Sequence, residues 1–221
     1  MGTETAGEVL LKTPLYDTHV TYKGKIVPFA GYLLPVQYET GVIEEHMAVR
    51  TKCGLFDVSH MGEVICKGPD ALKNLNMLLT NDYTVMAEGQ ARYSPMCNEQ
   101  GGVVDDLIVY KVRDDCYFIV VNAANKDKDY AWMKAHQSGD VVFDDIFLPG
   151  GTACPCRDQK QWMCLKRWRR RKIFPEKILY LPFLTAWWAA MKCIISKTGY
   201  TGEDGVEIYL APEDAPKMWE L

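Results

Sequence analysis

Between Ala91 and Asn122 the chain reads ARYSPMC, NEQGG, VVDDLIVYKV, RDD and CYFIVVN, three β-rich runs separated by two short polar turns. No other stretch limits the fold as much. Turns this short join antiparallel neighbours, because a parallel pair needs a crossover of about a dozen residues or more. The run therefore predicts three consecutive antiparallel strands. Helical patterns flank it: PDALKNLNMLLTND (69–82) opens on a proline and spaces Leu72, Leu75 and Leu79 on one side, and NKDKDYAWMKAHQ precedes a further strand, VVFDDI (141–146). Helices set between antiparallel hairpins predict an α+β fold of antiparallel sheets with packed helices, not a doubly wound parallel sheet.

Two adjacent carboxylates, Asp105 and Asp106, interrupt the middle strand. Side chains alternate along a strand, so Asp106 should share a face with Val104, Ile108 and Tyr110 while Asp105 faces away. That geometry argues against a shared-proton dyad between the two. One is then a candidate for acid–base chemistry, and a hydrated strand start beside the Gly101-Gly102 turn is the competing reading.

The remaining chain is read more coarsely. The first forty residues, broken by Pro14, Pro28 and Pro35, suggest short extended pieces, and GVIEEHMAVRTKC (41–53) fits a helix stopped by Gly54. His60 of FDVSHMGE has no Cys or His at metal-ligand spacing and reads as a hydrogen-bonded structural residue. Near the C-terminus, GYTGEDG precedes an alternating strand, so it reads as a tight turn presenting Glu203, Asp204 and Glu207, not as a phosphate cradle.

A net charge of −4 over 221 residues gives no reason to expect nucleic acid or an anionic membrane as partner. The N-terminus lacks the pattern of a secretory signal, and the longest apolar stretch, 178–191, carries Pro182 and is too short to span a bilayer. These features predict a cytoplasmic protein with reduced, mostly buried cysteines. The pattern Cys154, Cys156 and Cys164 is not a zinc spacing, so no metal is expected.

Residues 147–192 differ in texture. They hold ten Lys or Arg against Asp158 and Glu176, a net of +8, which leaves −12 for the remainder. They include the run KRWRRRK (166–172), four of the six Trp and three of the eight Cys. The basic run has the composition of a nucleic-acid patch but no recognisable nucleic-acid fold around it.

Five segments in order, TPLYDTHVTYKGKIVPFAGYLLPVQY, FDVSHMGE, GGVVDDLIVY, VVNAAN and SKTGYTGEDGVEIY, resemble the T-protein family of the glycine cleavage system, the aminomethyltransferases. The resemblance covers residues 9–146 nearly continuously and 193–221 again. It implies a folate-binding T-protein-like fold. A split first domain would comprise 1–52 and 147–221 around an inserted α+β domain at 53–146. A β-barrel-like domain carrying a folate-contacting Arg would normally follow beyond Leu221. Segment 147–192 departs from the family's leucine-rich text, which suggests compensating frameshifts in the coding sequence and predicts poor packing there.

The family moves a one-carbon unit from the aminomethyl-lipoyl arm of its partner, the lipoylated H-protein, to tetrahydrofolate, with release of ammonia. The resemblance implies that Asp106 is the catalytic carboxylate, that Asn122 and Glu207 hydrogen-bond the pterin, and that Met61, Tyr93 and Tyr110 line the cavity. Asp106 and Asn122 can share a face only if their strands pair in even register. A three-residue loop, Arg113-Asp114-Asp115, would give that register and a two-residue loop would not. Competing readings are a folate-binding protein without transferase activity, the folate domain of a sarcosine- or dimethylglycine-oxidising enzyme, and an inactive fragment. KTGYTGED lacks the reactive Cys of the related iron–sulfur maturation factors, which favours the transferase.

Overall fold

The computed structural model describes residues 9–146 and 191–221 in full and, between them, only the backbone of strands at 152–153, 156–158 and 183–188. Strands β1 (Leu11–Lys12), β2 (Ile26–Phe29) and β3 (Tyr32–Pro35) form a small sheet in the order β1-β3-β2. A helix absent from the sequence reading, α1 (Tyr16–Thr21), lies among them. It has only six residues, too few for a periodic signal, and is anchored by the buried Leu15 and His19.

Helix α2 (Gly41–Thr51) ends two residues before the expected limit, because Cys53–Leu55 forms strand β4 and pairs with 156–158. Its apolar stripe does not enter a core. Val42 is 53% exposed and Met47 46%, and Val42 and Val49 line an open groove of about 760 Å³ shared with His19, Tyr38 and Trp219.

The predicted meander forms as expected. Strands β5 (Gly62–Lys67), β6 (Ala91–Cys97), β7 (Val103–Arg113), β8 (Cys116–Val121) and β9 (Val142–Asp145) make a five-stranded sheet in the order β6-β7-β8-β5-β9. Helices α3 (Ala71–Leu78) and α4 (Lys126–His136) cover one face. There Leu75, Leu78 and Met133 pack on Val64, Val109, Ile119 and Val121 in one buried cluster. Full burial of such a side chain contributes about 1.5–3 kcal/mol, so this face is a major source of stability.

Two β-bulges correct the sequence reading. The β6–β7 register shifts at Val104, between the pairs Met96–Asp105 and Cys97–Val103. The extra residue breaks the alternation, and Val104 packs with the helix-side cluster instead of sharing the face of Ile108 and Tyr110. At the other end Arg113 pairs with Cys116, so the connecting loop is the two residues Asp114-Asp115. A bulge at Val112 then supplies the missing residue, and the even register Leu107–Val121 is kept. The expected pairing of Asp106 with Asn122 is reached by a bulge instead of a longer loop.

The final sheet contains β10 (Thr152–Ala153), β11 (Cys156–Asp158), β12 (Phe183–Trp188), β13 (Met191–Ser196) and β14 (Gly205–Leu210), in the order β12-β13-β14-β11-β4 with β10 also on β14. A short helix, α5 (Ala215–Trp219), follows. Tyr209 of β14 packs edge-on against Phe118, ring centres 5.1 Å apart, and closes this sheet onto the helix-free face of the meander. Strand β4 belongs by pairing to this sheet, not to the meander. The packing expectation for 147–192 and the run KRWRRRK lie outside the described residues, apart from those strand backbones. No helix among the described residues is long and apolar enough to cross a membrane.

Candidate functional site

The strand register arranges the helix-free face of the meander in rows. Asp106 pairs with Pro95 and stands one residue before the Leu107–Val121 pair, opposite Asn122. Met61, one residue before the Gly62–Val121 pair, completes that row. The next row runs Glu63, Val120, Ile108, Tyr93, and the third Ile65, Phe118, Tyr110, Ala91. Gly62 permits this layout: a Cβ there would meet Val121 at 2.7 Å and Lys126 at 2.8 Å, so the strand lies tight against the start of α4.

The first row is polar and hydrogen-bonded. The Asn122 amide nitrogen lies 3.1 Å from Asp106 Oδ1 and 3.0 Å from the Asp106 carbonyl, and it also approaches Asp105 Oδ1 at 3.1 Å. Asp106 is exposed and Asn122 half-buried. This leaves the Asn122 carbonyl and the Asp106 carboxylate as polar groups for a ligand laid across the sheet.

A second polar pole lies at the third row. Tyr110, fully buried, donates to Glu207 Oε2 at 3.1 Å and lies 2.9 Å from Thr198 Oγ1 and 3.1 Å from the Tyr209 hydroxyl. Thr198 also donates to Glu207, and Ser196 lies 2.7 Å from Thr198. Burial, then the nearby Glu207 charge, pushes the Tyr110 hydroxyl well up from its ordinary range, so it stays protonated as a donor. Tyr110 lies four residue steps along the strand from Asp106, about 13 Å at the usual rise. Between the poles lie Ile108 and Val120, both buried, beside a buried carboxyl, Glu63. Burial and the Asp145 charge push Glu63 up to about 7.

The predicted residues are thus brought to one sheet face in two groups. Asp106, Asn122 and Met61 share the first row, and Tyr110 binds Glu207 at the other end. Tyr110 is an enclosed hydrogen-bonding group more than a wall, while Tyr93 sits at the edge strand, 48% exposed. His60 departs from expectation. Its Nδ1 is buried without a hydrogen-bond partner among the described residues, and its ring is held edge-on to Phe29 at 5.7 Å. Burial lowers its pKa, against the opposing Asp57 charge.

Sequence reasoning missed several polar groups. Thr198 carried no signal beyond its place before the glycine-rich turn. Asp57 accepts from Thr13 at 2.7 Å and Ser59 at 2.5 Å and lies 2.8 Å from His19 Nε2, whose Nδ1 lies 2.8 Å from the Tyr38 hydroxyl. Burial would raise the Asp57 carboxyl, but bonds from His19, Ser59 and Thr13 outweigh it and hold it below its usual value. Asp129 reads in sequence as an ordinary acid in a helix's first turn, yet it is fully buried behind Asp105.

Known proteins resemble this chain over almost its whole length. An aminomethyltransferase of Desulfitobacterium hafniense strain Y51 is 48% identical over 96% of the chain, and one of Thermotoga petrophila is 42% identical over 95%. The chain spans only 57% of the length of either relative. The crystal structure of the glycine cleavage system aminomethyltransferase T from Bartonella henselae superposes with a TM-score of 0.85 at 29% identity, covering 96% of this chain and 56% of that one. A heterotetrameric sarcosine oxidase from Corynebacterium sp. U-96 shares the fold more loosely, with a TM-score of 0.50 at 11% identity over 92% of this chain and 88% of that one. The family model described as the GCVT N-terminal domain matches residues 15–152. With over half its length matched, the chain belongs to the GCVT N-terminal domain family, that of the glycine cleavage aminomethyltransferases.

Proposed function

We propose that this chain is the tetrahydrofolate-binding part of an aminomethyltransferase. In this reading the one-carbon unit passes from the aminomethyl-lipoyl arm of the H-protein to tetrahydrofolate, ammonia is released, and the lipoyl arm is left reduced. One observation carries the reading: a carboxylate and an amide, Asp106 and Asn122, are hydrogen-bonded side by side on a sheet face. A second carboxylate, Glu207, lies beyond an apolar row. Such a face suits a flat heterocycle with polar edges. Ile108 and Val120 are placed to take its ring face, while Asn122 and Glu207 match the donors and acceptor of an amino-pyrimidinone edge.

In this scheme Asp106 accepts a hydrogen bond from a ring N–H and takes up its proton as that nitrogen attacks the methylene carbon and the bond from that carbon to the departing ammonia breaks. The carbon–sulfur bond breaks when the second ring nitrogen closes on the same carbon, leaving the lipoyl thiol. A carboxylate in hydrogen-bond reach stabilises the positive charge that develops on the attacking nitrogen. Its exposure leaves it accessible to substrate, and Asn122 holds it in place. Met61 borders the same row, and Tyr93 flanks it from the edge. The domain division at 1–52 with 147–221 around 53–146 belongs to the same proposal. It is supported by all five meander strands falling between Gly62 and Asp145. A cytoplasmic location follows from the same reading.

The test is tetrahydrofolate binding by the chain itself, followed by tetrahydrofolate-dependent ammonia release from aminomethylated H-protein. Binding that is weakened by Asn122→Ala and Glu207→Gln supports the reading. Absence of tetrahydrofolate binding by well-folded protein would count against it.

A further inference from the structure

Behind the site, on the helix side of the sheet, sits a group the proposed chemistry does not use. Asp129 of α4 is completely buried, and neither of its carboxyl oxygens has a hydrogen-bond donor among the described residues. Oδ2 of Asp105 is likewise buried and without a donor, yet the two carboxyl groups lie within hydrogen-bonding reach of each other. Two ionised carboxylates cannot stably face each other in a water-poor interior, and one proton converts their repulsion into a hydrogen bond.

The neighbours do not supply an alternative. Lys128, on the same helix, approaches Asp129 Oδ1 only to 3.7 Å and gives its hydrogen bond to the Val104 carbonyl at 2.5 Å. From the sheet, Asp105 is the charged group facing Asp129, and the Asn122 amide donates to Asp105 Oδ1. The Val104 bulge contributes by turning its own side chain into the helix-side core beside the pair.

We propose that Asp129 is a positioning residue: it holds a proton against Asp105, which fixes Asp105 as an acceptor for the Asn122 amide, and Asn122 in turn fixes Asp106. The connection is continuous, since the Asn122 nitrogen lies 3.1 Å from both Asp105 Oδ1 and Asp106 Oδ1. It also orients the amide. With its NH2 group on the two aspartates, Asn122 turns its carbonyl away from them, free to accept from a ligand. Loss of the proton leaves two buried charges, and Asp105 must swing toward solvent or draw in a cation, which releases Asn122. Burial, then Asp105, pushes the Asp129 carboxyl up to about 8, so the proton is held at neutral pH and leaves in mildly alkaline solution.

The link from Asp129 to ligand binding rests on the folate reading, whereas the shared proton does not, and the experiment separates the two. Infrared spectroscopy of the whole chain at neutral pH is expected to show a buried, protonated carboxyl band, separate from that of Glu63, that disappears in Asp129→Asn and persists in Asp106→Asn and Glu63→Gln. Absence of the band, or its persistence in Asp129→Asn, overturns the proposal whatever the chain binds. Tetrahydrofolate affinity is then measured against pH. The parent chain should weaken at least tenfold on crossing the titration of Asp129. Asp129→Asn, whose amide still donates to Asp105, should lose that alkaline fall and bind at least tenfold more tightly than Asp129→Leu. An alkaline fall retained in Asp129→Asn overturns the proposal while leaving the folate reading intact. Failure of the parent to bind tetrahydrofolate, with the infrared result as expected, overturns the folate reading and the positioning role but leaves the shared proton standing. Should Asp129→Leu fail to fold, the Asp129→Asn spectrum and pH profile still decide.

Discussion

The two faces of the five-stranded sheet are built from the same strands, residue by alternate residue, yet they solve different problems. The helix-covered face places Val109, Ile119 and Val121 under Leu75 and Met133, and its polar exceptions Asp105 and Asp129 face each other. The opposite face carries Asp106, Asn122 and Glu63 among Ile108, Val120 and Phe118. The middle of its second and third rows is buried, with Tyr209 against Phe118, and its first row keeps Asp106 exposed. One face is a core. The other, in the function proposed above, keeps polar groups aimed at a ligand. Neighbouring aspartates on one strand therefore sit in different surroundings, Asp105 against a helix and Asp106 exposed on the opposite face, joined through the Asn122 amide.

This contrast can be broken by substitution. On the site face, Asp106→Asn should lower aminomethyl transfer by about 10²–10⁴-fold, the range for a positioned acid–base group, while moving stability by no more than about 0.5 kcal/mol. Steady-state turnover and urea unfolding of the same preparation check both halves. On the helix face, Ile119→Ala should cost about 2–5 kcal/mol, since Ile119 is fully buried, and should leave the tetrahydrofolate affinity of the folded fraction nearly unchanged. Equal loss of affinity and stability in either variant would erase the distinction.

Stability against pH sharpens it further. Asp129 rises from 3.8 to about 8 and Glu63 from 4.5 to about 7, so the folded state holds protons that the unfolded chain has released. Their favourable contribution is complete below the unfolded values and fades as pH rises toward the folded ones. Each group should then lower unfolding free energy with a slope on the order of 1 kcal/mol per pH unit within its window. Urea midpoints across that range should fall for the parent and flatten for Asp129→Asn and Glu63→Gln. A rising midpoint in the parent would contradict the assignment.

Smaller effects are expected from a single buried hydroxyl and from the exposed side of α2. Tyr110→Phe removes a hydroxyl shared among Glu207, Thr198 and Tyr209 and should cost about 1–3 kcal/mol in thermal or urea unfolding. Ile43→Gln, on the exposed side of α2, should change stability by no more than about 0.5 kcal/mol, because that side chain is 75% exposed.

The sequence by itself determined the meander, its helices and the α+β class, because short polar turns and alternating Val, Ile and Tyr leave few other pairings. The resemblance also pointed to Asp106 and Glu207, which stand on β7 and β14, and to Asn122, which follows β8 directly. It did not supply the short helix α1, the burial of Asp129 or the exposure of α2. Nor did it place the bulges at Val104 and Val112, and Val112 alone reconciles a two-residue loop with the Asp106–Asn122 pairing. These depend on which surface meets which. A carboxylate in a helix's first turn looks the same in sequence whether water or another carboxylate faces it, and only tertiary packing decides between them.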